Sequence, residues 1–110
     1  MDHAPIRIVD TIEVPPDRQP ELLALIEETI VPVLRDAGVE LVSCLSTSTA
    51  LGEPVLVQAT WGVPDHAAWN RIRKTLFLDP RWHAMWERVA GLRTGGTRRF
   101  FYPVEQGAGT

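Results

Sequence analysis

Asp10 sits among Ile6, Ile8, Ile12 and Val14 in a segment, residues 6–14, where apolar side chains recur at every second position. Period-two alternation puts these side chains on one face of a strand, the face expected to be buried. An unpaired carboxylate there costs several kcal/mol or takes up a proton. Such a group is a general base or acid in an apolar cavity between sheet and helices. Two plainer outcomes compete: an arginine or a tryptophan N–H satisfies the carboxylate, or a one-residue bulge turns it outward. His66 and His83 are the other proton carriers of the ordinary pH range. His66 falls in the first turn of the second helix, where a histidine is more often a surface residue. His83 faces one position away from the stripe that holds Trp82. Asp10, His66 and His83 form the candidate catalytic set.

Four tryptophans are many for 110 residues. Trp82 and Trp86 lie four apart on one helix face, Trp69 is on the preceding helical segment, and Trp61 ends the third strand. Core packing is the ordinary explanation for aromatics at helical spacing. The alternative is a flat aromatic pocket whose indole N–H groups serve as polar handles. Arg98 and Tyr102 share a face of the last strand by alternation. Arg98 can hold an anion and Tyr102 can donate to a substrate oxygen; a simple rim pair is the other reading. Trp61, Trp69, Trp82, Trp86, Arg98 and Tyr102 are thus the candidate substrate-binding residues.

Other chemistries find little support. Cys44 is the lone cysteine, so neither an internal disulfide nor a cysteine-built metal site is expected. No two histidines have the i, i+4 spacing of a metal site, and no carboxylate cluster completes one. No cofactor is expected either, haem on a single histidine being the weakest alternative. Ser43 and Cys44 have no base near them in sequence and no nucleophile elbow around them. The run Gly91-Leu92-Arg93-Thr94-Gly95-Gly96 matches neither a P-loop nor a dinucleotide fingerprint. The third strand lacks the aromatics of an RNA-binding sheet, and the net charge of −3 gives no general reason to expect nucleic acid.

The elements that must position these residues follow from the pattern. Pro15-Pro16 end the first strand, because proline cannot donate to a ladder. Asp17 is the expected cap of a helix with Pro20 and Glu21 in its first turn. Leu22, Leu25, Ile26, Thr29, Ile30, Val33 and Ala37 then recur at helical spacing, with Pro32 expected to kink or restart the helix and Gly38 to stop it. Residues 39–47 read as a second strand, with Val39, Leu41, Ser43 and Leu45 on one side and Glu40, Val42, Cys44 and Ser46 on the other. Residues 48–54 are a turn and 55–61 a third strand, antiparallel to the second. Asp65 caps a second helix; Asp79 and Pro80 open its second piece, with Trp82, Met85, Trp86 and Val89 inward. Residues 97–104 are the last strand, and 105–110 a frayed tail. The domain expected is 1–104.

The order strand, helix, strand, strand, helix in two pieces, strand is the split βαβ plan: α+β, ferredoxin-like βαββαβ, a four-stranded antiparallel sheet with helices on one face. The other face would carry Thr11, Val42, Cys44, Gln58, Thr60 and Phe100 or Phe101. A second copy packing sheet to sheet is its simplest cover. Charge is also uneven. Residues 1–53 hold ten carboxylates and three arginines, whereas 54–110 hold four carboxylates against seven arginines and Lys74. Solvated faces are the plain account; an acidic surface meeting a basic one between copies, or a basic rim for an anionic small molecule, are the others. Hydrophobic residues at 45% and charged residues at 23% are ordinary globular values. There is no run of ~18 apolar residues, so no membrane span is expected. The first residues lack a basic and apolar leader, so no secretory signal is expected, and the cytoplasm is the expected compartment.

The chain resembles a NIPSNAP-like protein of the dimeric α+β barrel superfamily. The likeness covers about residues 8–101. It rests on residues 9–17 followed by an amphipathic helix, and on Val33-Leu34-Arg35-Asp36-Ala37-Gly38-Val39-Glu40-Leu41-Val42 leading into the second strand. It also rests on residues 61–66 and on Leu78-Asp79-Pro80-Arg81-Trp82 opening the late helix. The resemblance implies a homodimer whose two sheets form a barrel. Related barrels include cofactor-free monooxygenases of aromatic polyketide pathways, isomerases, cyclases and haem-binding members. One departure stands out: NIPSNAP-like strands often have an arginine and then an aromatic where this chain has Asp10 and Ile12, so a role tied to that arginine does not carry over. Two functions are therefore expected. The first is a small cofactor-independent enzyme that oxygenates, cyclises or isomerises a hydrophobic aromatic or polyketide-like molecule. The alternative is a non-catalytic dimeric ligand-binding or accessory protein.

Overall fold

A computed structural model describes residues 5–104; the expected tail, 105–110, and residues 1–4 lie outside the described residues. In chain order the elements are β1 (Ile6–Val14), α1 (Gln19–Leu25), α2 (Val31–Asp36), β2 (Glu40–Ser46), β3 (Val55–Val63), α3 (His66–Phe77), α4 (Pro80–Leu92) and β4 (Gly95–Phe101). The strands form one antiparallel sheet in the order β2-β3-β1-β4. β1 buries Ile6, Ile8, Asp10, Ile12 and Val14, the alternation expected of it. β3 likewise buries Val55, Val57, Ala59, Trp61 and Val63. All of these side chains but Asp10 join Leu22, Ile30, Leu34, Leu76, Met85 and Val89 of the helical segments in one core cluster. The helices therefore cover one sheet face, and the fold is the ferredoxin-like α+β arrangement.

Local chemistry accounts for several element ends. The Asp65 carboxylate accepts from the Ala68 N–H at 2.8 Å and starts α3. The Asp79 carboxylate accepts from the Arg81 N–H at 2.8 Å, with Pro80 in the first turn of α4. Gly38 has φ +99°, the left-handed conformation that glycine adopts without strain. Around it the Val39 N–H donates to the Leu34 carbonyl at 2.8 Å and the Gly38 N–H to that of Arg35 at 3.0 Å, closing α2. Pro32 stands in the first turn of α2, directly after a π-helical turn, Ile26–Ile30. That wider turn falls where the proline ring would otherwise meet the carbonyl four residues back.

Three expectations change. Asp17 caps nothing: a short 3-10 turn, Pro16–Arg18, begins after Pro15, so Asp17 is already inside it and α1 starts without a side-chain cap. β4 runs from Gly95 to Phe101 instead of over 97–104. Gly95 and Gly96 pair with Glu13 and Ile12, and a Cβ on Gly96 would come within 3.0 Å of the Thr11 carbonyl oxygen. β2 breaks its alternation at a bulge between Leu41 and Ser43. Leu41 opposes Trp61, but Ser43 opposes Thr60, Cys44 opposes Ala59 and Leu45 opposes Gln58. Directly opposed residues share a face. Cys44 therefore leaves the uncovered face it was expected on, and Ser43 and Leu45 take it. Phe101, opposite Arg7, belongs to that face, whereas Phe100, opposite Ile8, packs against the core.

Candidate functional site

The register places Asp10 between Ala59 of β3 and Arg98 of β4. Asp10 is 4% exposed. Arg98 Nε donates to its Oδ1 at 2.7 Å and Nη2 to its Oδ2 at 3.0 Å. Trp61 Nε1 donates to the same Oδ2 at 3.2 Å. Of the surroundings read for Asp10, the structure has the satisfied carboxylate, with an arginine and a tryptophan at once. A two-pronged charge-assisted pair is the strong form of this interaction. For Asp10 to take a proton from a substrate, Arg98 must first move off it.

The tryptophans of α4 complete the setting. The Arg98 guanidinium carbon lies 4.9 Å from the Trp86 ring centroid and 5.9 Å from that of Trp82. Trp82 and Trp86 meet edge to face, centroids 5.4 Å apart and planes at 75°. Both are half-buried, while Met85 and Val89 between and beyond them are fully buried. The Trp86 Nε1–H is buried and has no hydrogen-bond partner among the described residues. Trp69 packs against Phe100, centroids 5.7 Å apart.

Besides a void of about 10 Å³, two clefts share the Trp82–Arg98 edge. One, of about 260 Å³, is bordered by Asp10, Ile12, Trp82, Trp86, Arg93 and Arg98 among others. The second, of about 600 Å³, is lined by Trp69, Arg73, Lys74, Phe77, Leu78, Trp82 and Arg98. Its lining holds three aromatic rings and three cations, and no carboxylate.

The histidines stand elsewhere. His66 Nε2 is hydrogen-bonded to Tyr102 Oη at 3.2 Å, with the rings stacked at 22°. Tyr102 lies one residue past β4, not on it, so its pairing with Arg98 across one strand face does not form. His83 Nε2 is 2.7 Å from the Phe77 carbonyl oxygen, and its ring meets Phe77 edge-on at 5.3 Å. The ring N–H there ties α4 to the last turn of α3. Asp10, His66 and His83 thus have three separate sets of partners. Cys44 is exposed and free, and desolvation raises its thiol pKa above the ordinary value, which disfavours the nucleophilic thiolate.

Arg73, Lys74, Phe77 and Leu78 were not singled out from the sequence. The signal for them is an apolar pair, Phe77 and Leu78, directly before the Asp79-Pro80 helix start. Turns between helices are normally polar, yet these two side chains are 68% and 83% exposed. Among the described residues no group of three His, Cys, Asp or Glu side chains could hold a metal ion. No helix among them is long and apolar enough to cross a membrane.

Comparison with known proteins places this geometry on a familiar scaffold. No protein-family model and no curated protein matches the chain. Solved structures do. A NIPSNAP family protein of Agrobacterium tumefaciens str. C58 superposes with a TM-score of 0.75 at 19% identity, covering 97% of this chain and 92% of that one. An uncharacterized NIPSNAP-like domain protein of Burkholderia xenovorans gives 0.76 at 19% identity, covering 96% and 90%. A candidate antibiotic biosynthesis monooxygenase of Caulobacter crescentus CB15 gives 0.66 at 14% identity, covering 94% and 92%. At these identities the likeness is one of fold. The resemblance to NIPSNAP-like proteins read from the sequence is borne out at that level, and the neighbours' ferredoxin-like fold agrees with the topology above.

Proposed function

We propose that this chain binds a flat, apolar small molecule, aromatic or polyketide-like in character, and that it works as a homodimer. The observation that carries the reading is the cleft of about 600 Å³ walled by Trp69, Trp82 and Phe77. Its volume falls in the usual range for small-molecule sites, and its walls suit a planar ligand. Trp61, more deeply buried, acts through Asp10 instead of touching the ligand. The dimer is supported by the uncovered sheet face, where Val42, Leu45, Leu56 and Phe101 are all exposed. The free, exposed thiol of Cys44 suits a reducing compartment, and we place the protein in the cytoplasm.

Catalysis is the second reading. One observation favours it: a buried carboxylate, Asp10, borders the smaller cleft beside Trp82 and Trp86. If a substrate oxygen draws Arg98 away, Asp10 becomes available to move a proton in a cofactor-independent oxygenation, cyclisation or isomerisation. His66 and His83 then serve at most at the periphery, since each is engaged by its own partner.

Titration with 2-naphthamide, a flat neutral probe, tests the binding reading. It should quench the tryptophan fluorescence and raise the melting temperature with probe concentration. Absence of both responses removes the pocket and leaves a packed module with an aromatic core.

A further inference from the structure

The larger cleft has a charge pattern that its aromatic walls do not explain. Arg73 and Lys74 stand side by side on α3 at its border, and Arg98 reaches it from β4. Arg98 is already matched, since Asp10 takes two of its N–H groups. Among the described residues Arg73 donates only to the Asn70 side-chain oxygen, at 3.4 Å, and Lys74 has no carboxylate partner. The cleft therefore presents two uncompensated cations beside apolar rings. Phe77 and Leu78, largely exposed on the same side, extend the apolar surface next to them.

We propose that the cleft's ligand is an amphipathic anion: a flat apolar body against Trp69, Trp82 and Phe77, with an acidic group such as a carboxylate at Arg73 and Lys74. Asp10 neutralises Arg98, so Arg98 supplies oriented N–H donors to a neutral oxygen of the ligand and not its counter-charge. The net attraction for the acid comes from the α3 pair. This rests on the binding reading above and names the class of molecule that the site takes. The acid group lies at the rim, so its attraction is screened by salt within about 10 Å at ordinary ionic strength.

The test compares 2-naphthoate with 2-naphthamide, matched in shape and differing in charge, by calorimetry and fluorescence quenching. At low salt the protein should bind the naphthoate about tenfold more tightly, equivalent to about 1.4 kcal/mol. The double variant Arg73→Gln/Lys74→Gln, altered only at exposed positions, should bring the ratio to about one, through weaker naphthoate binding. Raising the salt to about 0.5 M should shrink the wild-type ratio in the same direction. Equal binding of the two probes by the wild type overturns the inference and leaves the aromatic cleft standing. So does a preference that survives in the double variant, which assigns the anion to Arg98. Failure of both probes to bind removes the binding reading together with the inference. Capture by phosphatidylserine vesicles without naphthoate binding overturns it in favour of a membrane surface.

Discussion

Breaking the Asp10–Arg98 pair from either side should produce unequal damage. The Asp10 side chain is 6% exposed and the Arg98 side chain 33%. Arg98→Met strands a buried carboxylate whose remaining donor is the Trp61 N–H at 3.2 Å. Loss of one partner of a buried ion pair costs ~3–5 kcal/mol, and this variant should fall in that range. Asp10→Asn strands a guanidinium that still reaches water and still lies over Trp86. It should cost less, about 2–3 kcal/mol, because hydration offsets part of the loss. The double variant Asp10→Asn/Arg98→Met removes both charges, so it should cost clearly less than the sum of the singles, with a coupling of ~2 kcal/mol. Urea unfolding followed by tryptophan fluorescence measures all three. Protein concentration must be held constant, since an associating chain has concentration-dependent stability. Two additive singles, or an Arg98→Met cost under ~1 kcal/mol, would show that Asp10 and Arg98 are not coupled as a buried pair between β1 and β4.

Trp86→Phe removes the buried indole N–H that has no partner and keeps most of the ring, so stability should change by no more than ~1 kcal/mol in either direction; a larger loss in thermal unfolding means that N–H has an acceptor. Gly38→Ala forces a Cβ into a residue at φ +99°, and with Ile72 Cδ1 no closer than 3.7 Å the penalty is one of backbone conformation, ~1–2 kcal/mol by denaturation. Leu45→Lys on the uncovered sheet face should turn a dimer into a monomer in light scattering at micromolar concentration, and a wild type already monomeric there refutes the dimer. The hydrogen bonds and charge of Arg81 hold the Asp79 pKa below its ordinary 3.8, so the support it lends α4 is complete above pH 3.8 and is lost as pH falls through the lower folded value. Amide exchange at the start of α4 should therefore be flat above pH 3.8, after correction for intrinsic rates, and quicken below it. Asp79→Asn should lose that step.

What the chain order alone determined was local. The burial of β1, with Asp10 inside it, follows from an uninterrupted period of two, which a strand without a bulge keeps. The Asp65 and Asp79 caps and the Gly38 stop are settled by a few neighbouring residues and their backbone preferences. The π turn before Pro32 is the local answer to a ring that the helix cannot otherwise hold. What the tertiary structure decided was pairing. The bulge after Leu41 arises from how β2 meets β3, and it reverses the faces that alternation assigns to Ser43, Cys44 and Leu45. The partners of Asp10 lie 51 and 88 positions away, so no local spacing names Trp61 and Arg98 together. The pattern could say that the buried carboxylate needs a donor, because an unmatched charge is too costly to bury. Only the register of β1 against β4, which sets Asp10 opposite Arg98, says which donor it is, and only the packing of α3 and α4, which brings Trp82, Arg73 and Lys74 to one cleft border with Arg98, says what surface is left for a ligand.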